Sequence, residues 1–200
     1  TGLTSVTIPA SVTSIGVVAF KNATNLTTVS FEDISNSKLT TISGEAFLGA
    51  SGLMSVTIPS SVTSIGVEAF KNATNLTTVS FEDISNSKLT NIYYGAFWGA
   101  TALTSITIPK SVIGIYDSAF KSTTILTTVT FDDISNSQLT HIYGATGNDY
   151  TDYGDNVWGG GAFNSSGLTS IIIPASVQTI GRYTFRDTSL NTVTFKADSS

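Results

Sequence analysis

Residues 3–20 read LTSVTIPASVTSIGVVAF, and residues 53–70 read LMSVTIPSSVTSIGVEAF. Val6 and Ile8 share a face by period-two alternation, which predicts Leu3–Ile8 as a short strand. Pro9 has no N–H to offer a neighbouring chain, so the strand stops there. Pro59, Pro109 and Pro174 recur at the same place. Val12 and Ile15 turn inward on the return path, and Ala19-Phe20 predicts a short helical or 3₁₀ segment with Phe20 as the largest core residue. One such stretch carries too little apolar surface to fold alone.

The rest of the chain supplies the missing partners. Residues 1–50 and 51–100 match at 41 of 50 positions, and residues 101–140 continue the series. Each fifty contains a shorter unit, Leu3 to Leu26, and a longer one, Leu26 to Leu53, with four extra residues in the Glu32–Lys38 stretch. Units begin at Leu3, Leu26, Leu53, Leu76, Leu103, Leu126, Leu168 and Leu190: about seven units and a partial one that stops after Phe195. Repeats of 23–27 residues must stack and share one core. The expected fold is a repeat solenoid with one short parallel strand per unit and short helical, 3₁₀ or irregular return segments. Phe20, Phe47, Phe70, Phe97, Phe120, Phe163 and Phe185 should form a column inside it.

Composition agrees and narrows the function. Forty per cent hydrophobic residues and a mean hydropathy of +0.22 support a core and exclude intrinsic disorder. Charged residues make up only 12%, while Ser and Thr number 28 and 32 of the 200. With no Cys there is no disulfide framework and no Cys nucleophile. A net charge of −5 lacks the clustered Lys and Arg that nucleic acid requires. No apolar run approaches the roughly 18–20 residues of a membrane-spanning helix. No catalytic motif is present, and the single His141 stands without a cluster of ligands. Neither an enzyme nor a cofactor is expected.

The pattern Leu-x-x-Val-x-Ile-Pro-x-x-Val-x-x-Ile-Gly-x-x-Ala-Phe resembles the BspA-like type of leucine-rich repeat. The resemblance covers essentially the whole chain except the segment near 143–161. It implies a right-handed leucine-rich-repeat superhelix and a secreted or cell-surface protein, often adhesive toward host proteins, without enzyme activity. One departure is visible: the family often has Cys three residues after the Phe, where this chain has Ala23, Ala50, Ala73 and Ala100. A small buried residue serves there equally well.

Among near-identical copies, the deviations carry most of the information. Ala162 arrives twenty residues after Ile142, where Ala46 arrives four after Ile42. This places an inserted loop at 143–161, and long insertions in repeat proteins map to loops that are often binding faces. Beside it, the position after the inward Ile reads Gly16, Ser43, Gly66, Tyr93, Tyr116, Tyr143, Gly181. Tyr94 and Trp98 lie in the same region, and Trp98 occupies a position held by Lys21, Leu48, Lys71 and Lys121 elsewhere, which points it outward. The candidate partner-binding residues are Tyr93, Tyr94, Trp98, Tyr116, Tyr143, Tyr150, Tyr153 and Trp158, since exposed clustered aromatics offer large contact area at low entropic cost. A tyrosine ladder packed beneath the loop is the structural alternative.

Three further features bear on function. The carboxylate pairs Glu32-Asp33, Glu82-Asp83 and Asp132-Asp133 stand two rungs, or about 10 Å, apart, too far to share one calcium ion. Asp149, Asp152 and Asp155 lack the EF-hand spacing, so no metal site is assigned. Outward strand positions form two hydroxyl rows, Ser5 to Thr192 and Thr7 to Thr194, interrupted at Ile172. Asn22, Asn25, Asn72, Asn75 and Asn164 open Asn-x-Ser/Thr triplets.

The functional expectation is a non-enzymatic extracellular or cell-surface adhesion module that presents its aromatic patch and loop to a protein or glycan on a host or neighbouring cell. The alternatives are a structural spacer or building block of a filament or surface coat, and ice binding through the Thr/Ser strand face. Neither end shows a polar capping unit, so the array, 1–200, is expected to be an excerpt of a longer chain or to self-associate along its axis.

Overall fold

The computed structural model describes residues 2–144 and 160–197. Each full coil contributes a four-residue strand and then a two-residue one. The four-residue strands are β1 (Ser5–Ile8), β3 (Thr28–Phe31), β5 (Ser55–Ile58), β7 (Thr78–Phe81), β9 (Ser105–Ile108), β11 (Thr128–Phe131), β13 (Ser170–Ile173) and β15 (Thr192–Phe195). The two-residue strands are β2 (Ser14–Ile15), β4 (Thr41–Ile42), β6 (Ser64–Ile65), β8 (Asn91–Ile92), β10 (Gly114–Ile115), β12 (His141–Ile142) and β14 (Thr179–Ile180). All pairing is parallel, and equivalent residues meet: Val6 opposite Val29, Ile15 opposite Ile42. The chain is a parallel solenoid of about eight coils, as the repeat implies.

Two strands per unit, rather than the one expected, line the coil. The short ladder runs unbroken from β2 to β14, whereas the four-residue strands fall into groups β1-β3-β5-β7, β9-β11 and β13-β15. Even β3 and β5 meet only at Thr28↔Ser55. Proline explains the breaks. Glu32, Glu82 and Asp132 each donate their N–H to the Ile carbonyl of the preceding short coil, at 3.0, 3.0 and 2.8 Å. Pro59, Pro109 and Pro174 occupy that place in the coil after each long one and have no N–H to give. Each proline carbonyl instead accepts from the residue three further on, as Val62 donates to Pro59 at 3.1 Å, and turns the chain.

The Ala-Phe segment is a run of turns and not a helical or 3₁₀ piece. Ala19, Lys21 and Ala23 donate to the residue three before them, while Phe20 and Asn22 donate to Ala46 and Leu48 of the next coil at 2.7 Å. Half of the N–H groups thus leave the coil, and left-handed residues four apart, such as Val18 (φ 54°) and Asn22 (φ 56°), prevent a helix. The 3₁₀ turns appear elsewhere, at Ile84–Asn86 and Ile134–Asn136, within the four-residue extension of the long units.

The core follows from this register. The seven Phe rings stack with centroids 5.1 to 5.8 Å apart and planes within 13° of parallel. That pitch is close to the strand spacing of about 4.7–4.9 Å. Leu26, Leu53, Leu76, Leu103 and Leu126 stack beside them, fully buried. Phe97→Ala should therefore cost about 3–5 kcal/mol, read as a lowered denaturation midpoint. Val18 is β-branched in the left-handed region, an arrangement costing about 1–2 kcal/mol. Val18→Asn should raise the melting temperature, because Asn tolerates that conformation.

Candidate interaction surface

The short ladder carries the tyrosines. Tyr93, Tyr116 and Tyr143 follow β8, β10 and β12, and their rings stack at 4.9 and 4.5 Å between centroids. Gly114 makes room for them, since a Cβ there would come within 3.1 Å of Tyr116 and 3.3 Å of Tyr143. His141 stacks on Tyr143 at 5.3 Å, its Nδ1 sharing a 2.7 Å hydrogen bond with the Thr140 hydroxyl. Burial, aided by the neighbouring Tyr143 and Tyr93, pushes the Tyr116 hydroxyl above the usual phenol range. All three tyrosines remain half-buried rather than fully enclosed.

Tyr94 and Trp98 form a second group on the turn ridge. Their rings meet edge to face at 6.4 Å. Lys71 from the preceding coil and Lys121 from the following one bring their ammonium groups within 4.0 and 4.5 Å of the indole centroid. Lys71 also pairs with Glu68 at 2.8 Å. The indole is thus gripped by the cations of both adjacent coils and is half-buried, not a free outward ring. Among the described residues, no ring contact joins this group to the tyrosine column, so consecutive Tyr93 and Tyr94 belong to separate clusters.

Lys121 is 7% exposed, and its burial lowers its pKa against the support of Asp117. Burial likewise raises Asp117, opposed by a hydrogen bond from Ser118 and by Lys121. Tyr94 is raised by burial and by the carboxylates of Asp117 and Glu68.

The insertion is spliced into a single turn without opening it. Ala162 donates to the Tyr143 carbonyl at 3.2 Å, as Ala46 does to Ser43 at 3.3 Å, and Ser118 donates to Gly160 at 3.1 Å. Gly144 and Gly161 press against the next coil, where a Cβ would fall within 1.9–2.1 Å of Arg182 and Thr184 backbone. The splice therefore sits at the position of Tyr94 and Asp117 in the two coils before it, between the two aromatic clusters. Tyr150, Tyr153 and Trp158, with Asp149, Asp152 and Asp155, lie outside the described residues.

The remaining features have local roles. Asp33, Asp83 and Asp133 accept from the side-chain amides of Asn36, Asn86 and Asn136 at 2.8–2.9 Å, closing the extension of each long unit. Among the described residues, no three His, Asp or Glu side chains converge to hold a metal. Asn164 is buried, whereas Asn22, Asn25, Asn72 and Asn75 are exposed. Among the described residues, no helix is long and apolar enough to cross a membrane. Sequence reading missed the lysine grip on Trp98, although Lys at every second unit beside a lone Trp was its signal.

The chain belongs to the BspA type leucine rich repeat family, which it matches in six copies over residues 1–127 and 157–200. No curated protein matches it. A leucine-rich repeat protein from Eubacterium ventriosum superposes over 100% of this chain and 45% of its own, with a TM-score of 0.72 and 24% identity. One from Bacteroides ovatus covers 89% of this chain and 45% of its own, with a TM-score of 0.60 and 28% identity. The pneumococcal vaccine antigen PcpA covers 96% and 50%, with a TM-score of 0.63 and 24% identity. The chain thus spans about half the length of these solved structures.

The ridge generates a pH-linked expectation. Asp117 is the group that raises the Lys121 pKa against burial, so Asp117→Asn should make Lys121 titrate lower still. A lysine whose folded pKa lies below its unfolded value gains stability as pH rises between the two. The variant should therefore gain stability with alkaline pH over a wider window than the parent, as followed by Lys121 Cε chemical shifts and thermal melts.

Proposed function

We propose that this chain is a non-enzymatic interaction module, working outside the cell or at its surface, that binds a protein or glycan of a host or neighbouring cell. The observation that supports this most is the placement of Tyr93, Tyr116 and Tyr143 in consecutive coils immediately before the splice, where the other coils have Gly or Ser. Tyr94 and Trp98 flank the splice position on its other side, and the insertion itself carries Tyr150, Tyr153 and Trp158 in its sequence. The mechanism is passive: a rigid register of main-chain bonds holds the aromatic groups in place, so little ordering cost remains on binding. The description of PcpA as a vaccine antigen accords with an exposed location.

The strand face has a different use for its hydroxyls. Thr7 pairs with Ser30, Thr57 with Ser80 and Thr107 with Thr130, each at 2.9–3.0 Å, so this row is engaged within the protein. That argues for the aromatic ridge over the strand face as the contact surface.

The test is a binding screen against matrix proteins and glycans. It compares the parent chain, Tyr116→Ala/Tyr143→Ala, and a deletion of residues 144–159. The deletion leaves Tyr143-Gly160-Gly161-Ala162, the spacing of the other coils, so folding should survive. At least about tenfold weaker capture by either variant is expected, equivalent to 1.4 kcal/mol of contact energy. Undiminished capture by both would place the contact away from this surface, and no capture by the parent chain would support a spacer or coat component instead.

A further inference from the structure

The tyrosine column ends abruptly at Tyr93. The preceding coil has Gly66 at the equivalent position, and the coil before that has Ser43. Gly66 lies so close to the second coil that a Cβ would come within 2.7–2.9 Å of backbone at Ile42, Ser43 and Gly44. No side chain can stand there. The outward surface of the short ladder is consequently a low shelf over coils two and three, rising to a ring at coil four. Tyr93 stacks on Tyr116 on one side, tilted by 40°, and has only Gly66 beside it in the column on the other.

The shelf is furnished with hydroxyls that the protein itself does not use. Thr41, Ser43 and Ser64 are half-buried and, among the described residues, make no side-chain hydrogen bond. Elsewhere Thr40, Thr63, Ser61 and Ser111 spend their hydroxyls on carbonyls of the preceding coil at 2.7–3.1 Å, whereas the shelf hydroxyls remain available to a ligand. Val67, 47% exposed, borders the shelf, and Thr41, Ser43, Ser64, Gly66 and Tyr93 carry no charge at neutral pH.

We infer that the step formed by Tyr93, Gly66 and the free hydroxyls of Thr41, Ser43 and Ser64 binds a neutral pyranose ring of a polysaccharide. An aromatic face has negative quadrupole charge and attracts the polarised C–H bonds of a sugar's apolar face. Hydroxyls that can both donate and accept match the sugar's own hydroxyls. On the adjoining turns Lys21 and Lys71 are already paired with Glu45 and Glu68, so an anionic saccharide gains no free cation from them. Tyr116 stacks with a tyrosine on each side and Tyr143 with Tyr116 and His141, so among the described residues the terminal Tyr93 is the column ring with a single stacking partner. This assignment rests on the interaction-module reading and narrows it to one partner class.

The test titrates the full chain with cellohexaose, chitohexaose and mannohexaose by calorimetry and by saturation-transfer NMR, with sialyllactose as the charged comparison. At least one neutral hexasaccharide should bind. Tyr93→Leu, which keeps apolar bulk but removes the ring, should weaken it at least about tenfold, and Tyr93→Phe should restore binding to within about threefold of the parent. Ser64→Gln, which fills the shelf without touching the core, should weaken it comparably. Binding of none of the three neutral saccharides, tighter binding of sialyllactose, or indifference to Tyr93→Leu would overturn the glycan assignment. Should a purified matrix protein still bind through Tyr116 and Tyr143, the interaction-module reading stands without it. Loss of both would end that reading too.

Discussion

Register between coils is the constraint on which everything else depends. Coils share main-chain hydrogen bonds at the short ladder and the turn ridge, and within each pair of coils at the four-residue strand as well. On the ladder, Ser43 donates back to Ile15 at 2.9 Å; on the ridge, Phe20 donates forward to Ala46 at 2.7 Å. A coil that slipped by one residue would lose all three sets and turn its Phe out of the column. Changes in length are therefore absorbed where they leave the bonds alone. The long units bulge after the strand, and the insertion is spliced into one turn whose hydrogen bond survives.

The unusual composition has the same origin. With neighbours about 5 Å apart and few charges, the coils are stitched by hydroxyls: Thr27, Thr77 and Thr63 each donate to a carbonyl of the preceding coil at 3.0 Å. Thr and Ser thus act as coil-to-coil fasteners as well as strand formers. Against this background the tyrosines stand apart, where the other coils carry Gly or Ser. Solenoid architecture leaves function to such local departures.

Most of the fold was legible because each inward column is written seven times. Period-two alternation exposed the long strand, and proline correctly marked where its ladder stops. The second ladder was hidden: two residues such as Ser14-Ile15 are too short to show alternation, and only their repetition in space makes them a sheet. The Ala-Phe turns were misread as helical because the sequence does not reveal that alternate N–H groups leave for the next coil. The tyrosine column was legible as a vertical register. The separation of Tyr94 and Trp98 from it was not, since Lys71 and Lys121 reach the indole across coils and their burial is a property of packing, not spacing.

A crystal structure of this chain at 2 Å or better tests the central claim most directly. Coil-to-coil register predicts Phe47, Phe70 and Phe97 stacked at about 5 Å, with Ile15, Ile42 and Ile65 paired in one parallel ladder. Phe rings in unrelated environments, or a short ladder interrupted where Tyr93 enters, would contradict it and remove the basis for the proposed surface.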